Sequence, residues 1–321
     1  MNLPVWLEAD WRSLAARLAC RRLPHALLIA GAAGLGKRAL ADQLVRAALC
    51  EQRSDDGLPC TRCRSCLLLA AGTHPDRVHV TLELRDDGKL RSEITVEQIR
   101  QLSQRLSLSS QFGGLQLVII EPADVMNANA ANALLKTLEE PSASTVIVLV
   151  SDRPARLPAT IRSRCQRIAV ATPSTAEAHA WLVAHGIASA EATTALVATL
   201  GNPGRALVAL SDQTLPLRAD CLRDLGALRA GRASALAVAE AWAADRPADR
   251  LWQAAVVVGE EVKKLASGSA GALGLTDPRE IPKLAAWFAH ANRSRELLNT
   301  PLRGDLIILD LLHSWQILRR T

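Results

Sequence analysis

Apolar residues along this chain follow two rhythms. Short continuous runs occupy Ala26-Leu27-Leu28-Ile29-Ala30, Leu115 to Ile120 and Thr145 to Val150. Each is bounded by polar or turn residues, which predicts strands buried on both faces. Arg77 to Leu84 alternates, and also reads as a strand. Between these runs the apolar positions recur at helical spacing. Residues 11–23 bring Trp11, Leu14, Leu18 and Cys20 near one face, and Thr95 to Leu106 does the same with Val96, Ile99, Leu102 and Leu106. Lys37 to Leu49 and Asn127 to Glu140 are further helices, the second ended by Pro141. Strands that alternate with helices and look buried on both faces predict an α/β domain with a parallel sheet.

The rhythm changes near Val170, where Thr172-Pro173-Ser174 punctuates the chain. Beyond it only Ala- and Leu-rich helical segments are expected, broken by Gly186, Gly201-Asn202-Pro203-Gly204 and Gly268 to Gly274. The expected organisation is an α/β domain over 1–170, a small helical domain over 171–210 and an all-α domain over 211–321.

Composition narrows the function classes. A length of 321 residues suits two or three domains. With 49% hydrophobic and 22% charged residues the chain is not a disordered polyelectrolyte. No apolar stretch approaches the ~18 residues of a membrane helix. The start, Met1 to Glu8, shows no basic flank and no long apolar core, so a soluble cytoplasmic protein is expected. A net charge of +6 permits nucleic acid as a partner. The absence of Tyr and the two Phe disfavour a single-strand binder that works by stacking, although seven Trp are present.

Gly31-Ala32-Ala33-Gly34-Leu35-Gly36-Lys37-Arg38 follows the first strand and opens a helix. It fits G-x-x-x-x-G-K, in which Gly31, Gly34 and Gly36 free backbone N–H groups to wrap phosphate and Lys37 adds positive charge. The next position should be Ser or Thr, whose hydroxyl binds Mg²⁺. Here it is Arg38, which has no lone pair for a metal. The strand ending at Ile120 should be followed by Asp-Glu, yet the chain reads Glu121-Pro122-Ala123-Asp124. Glu121 could stand in for the metal carboxylate. Pro122 can do no proton chemistry, and Asp124 reads as a helix cap. The loop is expected to be dead toward ATP, with nucleotide binding doubtful.

Cys50, Cys60, Cys63 and Cys66 lie within one loop. Four thiolates at this spacing suit tetrahedral structural zinc, with no open position for catalysis. An iron–sulfur cluster is the rival, since C-x₂-C-x₂-C occurs there too, and free thiols are the third reading. His74 reads as a loop residue before Pro75. Downstream, residues 152–167 carry five Arg against one Asp. That is either a solvated basic face or a working surface. Gly201 to Arg205 is a turn with one Arg at a helix start.

Together these features resemble the AAA+ clamp-loader proteins. The matching pieces, in order, are Pro4-Val5-Trp6-Leu7, His25-Ala26-Leu27-Leu28, the four cysteines, Ala71-Gly72-Thr73-His74-Pro75-Asp76, Thr95 to Arg100, Asn129 to Pro141 and Ser163-Arg164-Cys165. The resemblance spans roughly residues 4–210; the last third matches only in being helical. It implies an AAA+ P-loop domain with a zinc insertion at 50–66, a lid over 171–210 and an oligomerisation collar over 211–321. It implies that Arg164 is an arginine finger acting in trans on a neighbour's ATP. Ser151 and Arg205 would take sensor-like positions. The implied partners are ATPase subunits (gamma/tau) and a delta subunit in a hetero-oligomeric ring, with the sliding clamp and primed DNA reached through the complex. Two other functions fit the residues: a weak ATPase using Lys37 and Glu121, separable by turnover of the isolated chain, and a zinc-bearing DNA-binding module, separable by salt-dependent DNA affinity.

Overall fold

The computed structural model describes residues 3–142, 144–212, 214–298 and 300–317. The chain divides into two compact units, Met1–Glu177 and Ala178–Thr321.

The first unit is built on five strands, β1 (Ala26–Ala30), β2 (Arg77–Val80), β3 (Gln116–Ile120), β4 (Thr145–Ser151) and β5 (Gln166–Ala169). They form one parallel sheet in the order β2-β3-β4-β1-β5. Every residue of β1, β3 and β4 is buried, as continuous apolar runs require. Adjacent residues of a strand point to opposite faces, so each strand feeds two cores. Leu28, Val118, Ile120, Ile147 and Leu149 pack with α4 (Val96–Leu106) and α5 (Ala128–Glu139), through Ile99, Leu102, Leu134 and Leu138. Leu27, Ile29, Leu117 and Val148 pack with α1 (Glu8–Ala19) and α2 (Lys37–Leu49). The remaining helices of this unit are α3 (Arg64–Ala70) and the short α6 (Ala159–Arg162).

Several boundaries differ from the sequence reading. The first helix starts at Glu8 rather than residue 11 and stops at Ala19, leaving Cys20 exposed beyond its end instead of on the apolar face. Strand β2 ends at Val80, not Leu84. From there the chain folds on itself, with Leu84 bridging Leu90 and the Arg85 N–H donating to Lys89 O at 2.8 Å. Helix α3 lies inside the cysteine loop, where no helix was expected.

Every regular element among the described residues of the second unit is a helix. Helix α7 (Thr175–Ala184), at whose start the division between units falls, is followed by α8 (Ser189–Ala198) and α9 (Pro203–Ser211). Ala178, Leu182, Ala192, Ala195, Leu196 and Ala206 form their small core. A separate, larger core unites α10 (Leu215–Ala230), α11 (Ala235–Ala244), α12 (Pro247–Ala266), α13 (Ile281–Leu297) and α14 (Gly304–Ile317). Three tryptophans anchor it, each with its indole N–H satisfied: Trp242 on Asp224 Oδ2, Trp287 on Leu311 O and Trp315 on Leu225 O. Tryptophan here serves packing. The expected third segment runs to 321, and residues 318–321 lie outside the described ones.

Candidate functional site

Two groups of chemistry-bearing residues sit at opposite ends of α2. At its start, the turn from β1 brings the backbone close to the end of the sheet. A Cβ at Gly31 would meet Val170 O at 2.3 Å, so no other residue fits. Gly36 caps α2 at φ +83°, a conformation that favours glycine. Trp6 clamps the loop from outside by donating its indole N–H to Leu35 O at 3.0 Å. The backbone path of the turn therefore requires glycine at both positions.

The charges around this loop are already matched from within. Lys37 is 4% exposed, and its ammonium lies 2.5 Å from Asp152 Oδ1 while donating to Ala32 O at 2.7 Å. Arg38 reaches Glu121 Oε2 at 3.4 Å and Asp42 at 3.9 Å; Arg77 holds the other oxygen of Asp42 at 2.9 Å. Burial raises the Glu121 carboxyl above its ordinary value, opposed by Arg38. The carboxylate available for Mg²⁺ is thus engaged by the residue that replaces the Mg²⁺-binding hydroxyl.

Asp124, read from sequence as a helix cap, caps nothing. Its Oδ1 accepts the Ser151 hydroxyl at 2.8 Å and the Asp152 N–H at 3.0 Å, and Arg153 approaches Oδ2 at 3.5 Å. Burial acts to raise its carboxyl, but these donors hold it below the usual range. Asp124 instead ties the end of β4 to the turn after β3. Ser151 is fully buried with its hydroxyl committed there, and its carbonyl accepts the Gly31 N–H at 3.3 Å.

At the other end of α2, Cys50, Cys60, Cys63 and Cys66 converge. Their four Sγ atoms lie within 4.8 Å of one another, with Cys50–Cys63 and Cys60–Cys66 each at 4.0 Å. Four sulfurs around one tetrahedral ion at 2.3 Å stand about 3.8 Å apart, so the cluster fits a single ion. Backbone N–H groups aim at the sulfurs: Gln52 and Cys60 donate to Cys50, Cys63 to Cys60, and Cys66 to Cys63, at 3.3–3.4 Å. Such donors favour thiolate. The Cys60 thiol is pulled down to about 6 by the N–H groups of Arg62 and Cys63, whereas burial pushes Cys50 and Cys66 up.

His74 is the residue that sequence reasoning undervalued. It is a buried hub, not a passive loop residue. The Asp76 N–H donates to Nδ1 at 3.1 Å, which puts the ring proton on Nε2. Nε2 then donates to Ser65 Oγ at 2.8 Å, and Ser65 donates to Leu49 O at 2.6 Å. This relay fixes α3, which carries Cys66, to the end of α2, which precedes Cys50. Burial lowers the His74 pKa, opposed by Asp76 and Glu51, and so favours the neutral ring that the relay needs. Asp76 extends the tie by accepting the N–H groups of Gln111 and Phe112, while Phe112 packs 5.1 Å from the His74 ring. The signal was the run Thr73-His74-Pro75-Asp76, quoted as a motif but given no role.

Arg164 follows α6 at the sheet's β5 end. Its Nη2 pairs with Glu139 Oε1 at 2.6 Å, and its Nη1 donates to Thr160 O at 3.0 Å. The other arginines in this stretch, Arg153, Arg156, Arg162 and Arg167, are all exposed. In the second unit, Arg205 sits in the first turn of α9, its N–H capped by Asn202 Oδ1. Its guanidinium lies 4.7 Å from the Trp252 ring centre, with Arg295 at 4.8 Å from the same ring.

The chain is similar in sequence to known proteins. The family model described as "DNA polymerase III, delta subunit" matches residues 7–174, just over half the chain. DNA polymerase III subunit delta' of Pseudomonas aeruginosa is 45% identical over 177 residues, covering 55% of this chain and 51% of that protein. The subunit of the same name from Escherichia coli is 38% identical over 203 residues, 63% of this chain and 59% of that one. DNA polymerase III subunit tau of Bacillus subtilis is 31% identical over 147 residues, 46% of this chain and 24% of that one. The chain thus spans about half the length of the curated delta' relatives it matches.

Proposed function

This chain belongs to the DNA polymerase III delta-subunit family, and from that premise we propose that it is a clamp-loader subunit of the delta' kind that turns over no ATP itself. It assists ATP-dependent loading of a sliding clamp onto primed DNA, in a ring with gamma/tau-type ATPase subunits and a delta subunit. The observation that carries the non-catalytic reading is the internal pairing of the phosphate loop, Lys37 with Asp152 and Arg38 with Glu121. A triphosphate would have to displace Asp152 from Lys37. A bound Mg²⁺ would find no hydroxyl at position 38 and a carboxylate already paired.

Arg164 supplies the neighbour's site. Its side chain is 37% exposed, and its planar fork suits phosphate oxygens. The four cysteines hold one structural zinc ion, supported by the spacing of their sulfurs. The helices over 171–210 form a lid, and those over 211–321 form the collar that joins the ring.

The test is Arg164→Ala in a complex reconstituted with ATPase subunits, clamp and primed DNA. Assembly and chain stability should stay near normal while DNA-stimulated ATP hydrolysis and clamp loading fall. Arginine fingers supply about 10³–10⁵ in rate at a single site, and a ring with several sites loses less. Arg164→Lys should recover little. Unchanged hydrolysis together with a destabilised chain would remove the finger assignment.

A further inference from the structure

Helix α5 ends at Glu139, an odd place for an acid. The C-terminus of a helix carries partial negative charge, so a carboxylate there gains nothing from the helix itself. Its contact lies across a gap in sequence, on the guanidinium of Arg164. Together with Thr160 O, Glu139 occupies both terminal nitrogens of that fork.

The backbone around Arg164 is anchored in the core while its side chain is partly exposed. Leu157, Ile161 and Cys165 are buried in the same core as Leu134 and Leu138 of α5, which pins the backbone on either side of Arg164. The ion pair itself is half in water, at 37% and 48% exposure. A pair so placed is weak and exchangeable. We propose that Glu139 is a positioning residue that parks Arg164: it holds the guanidinium against α5 until a phosphate group of docked ATP on a neighbouring subunit replaces the carboxylate. The exchange breaks one charge-assisted pair and forms another, with no covalent step. While parked, the guanidinium's charge is cancelled, so the arginine engages only a phosphate presented at close range.

The inference rests on Arg164 acting in trans, and the experiment separates the two ideas. In the reconstituted complex, steady-state ATP hydrolysis is measured against ATP concentration for wild type, Glu139→Gln, Arg164→Ala and the double variant. Glu139→Gln should lower the half-saturating ATP concentration by up to about five-fold, the reach of an exposed pair, and leave the maximal rate unchanged. The gain should vanish in the Arg164→Ala background and shrink as salt is raised. A higher half-saturating concentration, a lower maximal rate or no change with Glu139→Gln would overturn the parking role while leaving the finger intact. An Arg164→Ala variant that hydrolyses ATP like wild type would overturn the finger and the parking role together. Thermal unfolding of the Glu139→Gln chain controls for folding and should match wild type.

Discussion

The two ends of α2 present opposite kinds of site. At the N-terminal end the phosphate loop keeps its glycines, yet each of its basic side chains has an acidic partner from the same chain. At the C-terminal end four thiols converge, and the groups around them are N–H donors that favour thiolate rather than partners that neutralise it. What separates the two ends is that charged side chains pair with one another at the first, while four thiols with N–H donors aimed at them converge at the second. Under the proposed function, the loop keeps the outline of a nucleotide site without its activity, while the four thiols form a set that one metal ion would fit.

Breaking the metal end should have the largest effect. Cys63→Ser should lose zinc and loosen residues 50–70, leaving the sheet folded, because the module is an insertion between α2 and β2. Metal analysis with hydrogen exchange of the 50–70 segment reads this, and visible absorption from iron would replace zinc with a cluster. Removing the brace rather than a ligand should cost less. His74→Ala unlinks Ser65 and the Asp76 N–H, buried groups whose loss costs about 1–3 kcal/mol each if unmet. Chain stability should drop by about that amount, read by denaturant unfolding of the zinc-loaded chain.

Acid should produce a smaller, graded version of the same change. The folded His74 pKa lies below its ordinary value of about 6.5. Its contribution is therefore complete above that value and is lost as pH falls through the folded pKa. The stability difference between wild type and His74→Ala should be full at pH 7 and shrink toward pH 5; a difference that grows on acidification would mean that the fold favours the protonated ring and would overturn the neutral relay. At the phosphate end the expected change is nil. Arg38→Thr should not produce ATP turnover by the isolated chain, because Pro122 still stands where the water-activating carboxylate belongs and Asp152 still holds Lys37.

Much of this contrast was legible in the residues. The buried runs gave three strands within about a residue, and Lys37–Leu49 emerged with both ends correct, since glycine before it and the loss of periodicity after it are local signals. The defects at Arg38 and Pro122 were readable because each replaces a required chemical group. Partners were not readable. Nothing local links Lys37 to Asp152, 115 positions away, or Arg164 to Glu139; the first pair exists because β1 and β4 run side by side in parallel, the second because the segment around α6 packs on α5. Asp124 misled for the same reason: a short polar side chain after a strand fits a cap, and only the fold shows Ser151 lying within its reach. His74 was missed because burial of a single histidine leaves no periodic trace.

The central claim is that one end of α2 binds a ligand and the other does not, and one preparation of the isolated chain tests it. Zinc content and Mg²⁺-ATP binding are measured on the same sample, with Lys37→Ala as control. The account predicts about one zinc ion per chain and no ATP binding in the micromolar range, with Lys37→Ala indistinguishable from wild type. Micromolar ATP binding that Lys37→Ala abolishes, or a chain that takes up no zinc, would contradict it.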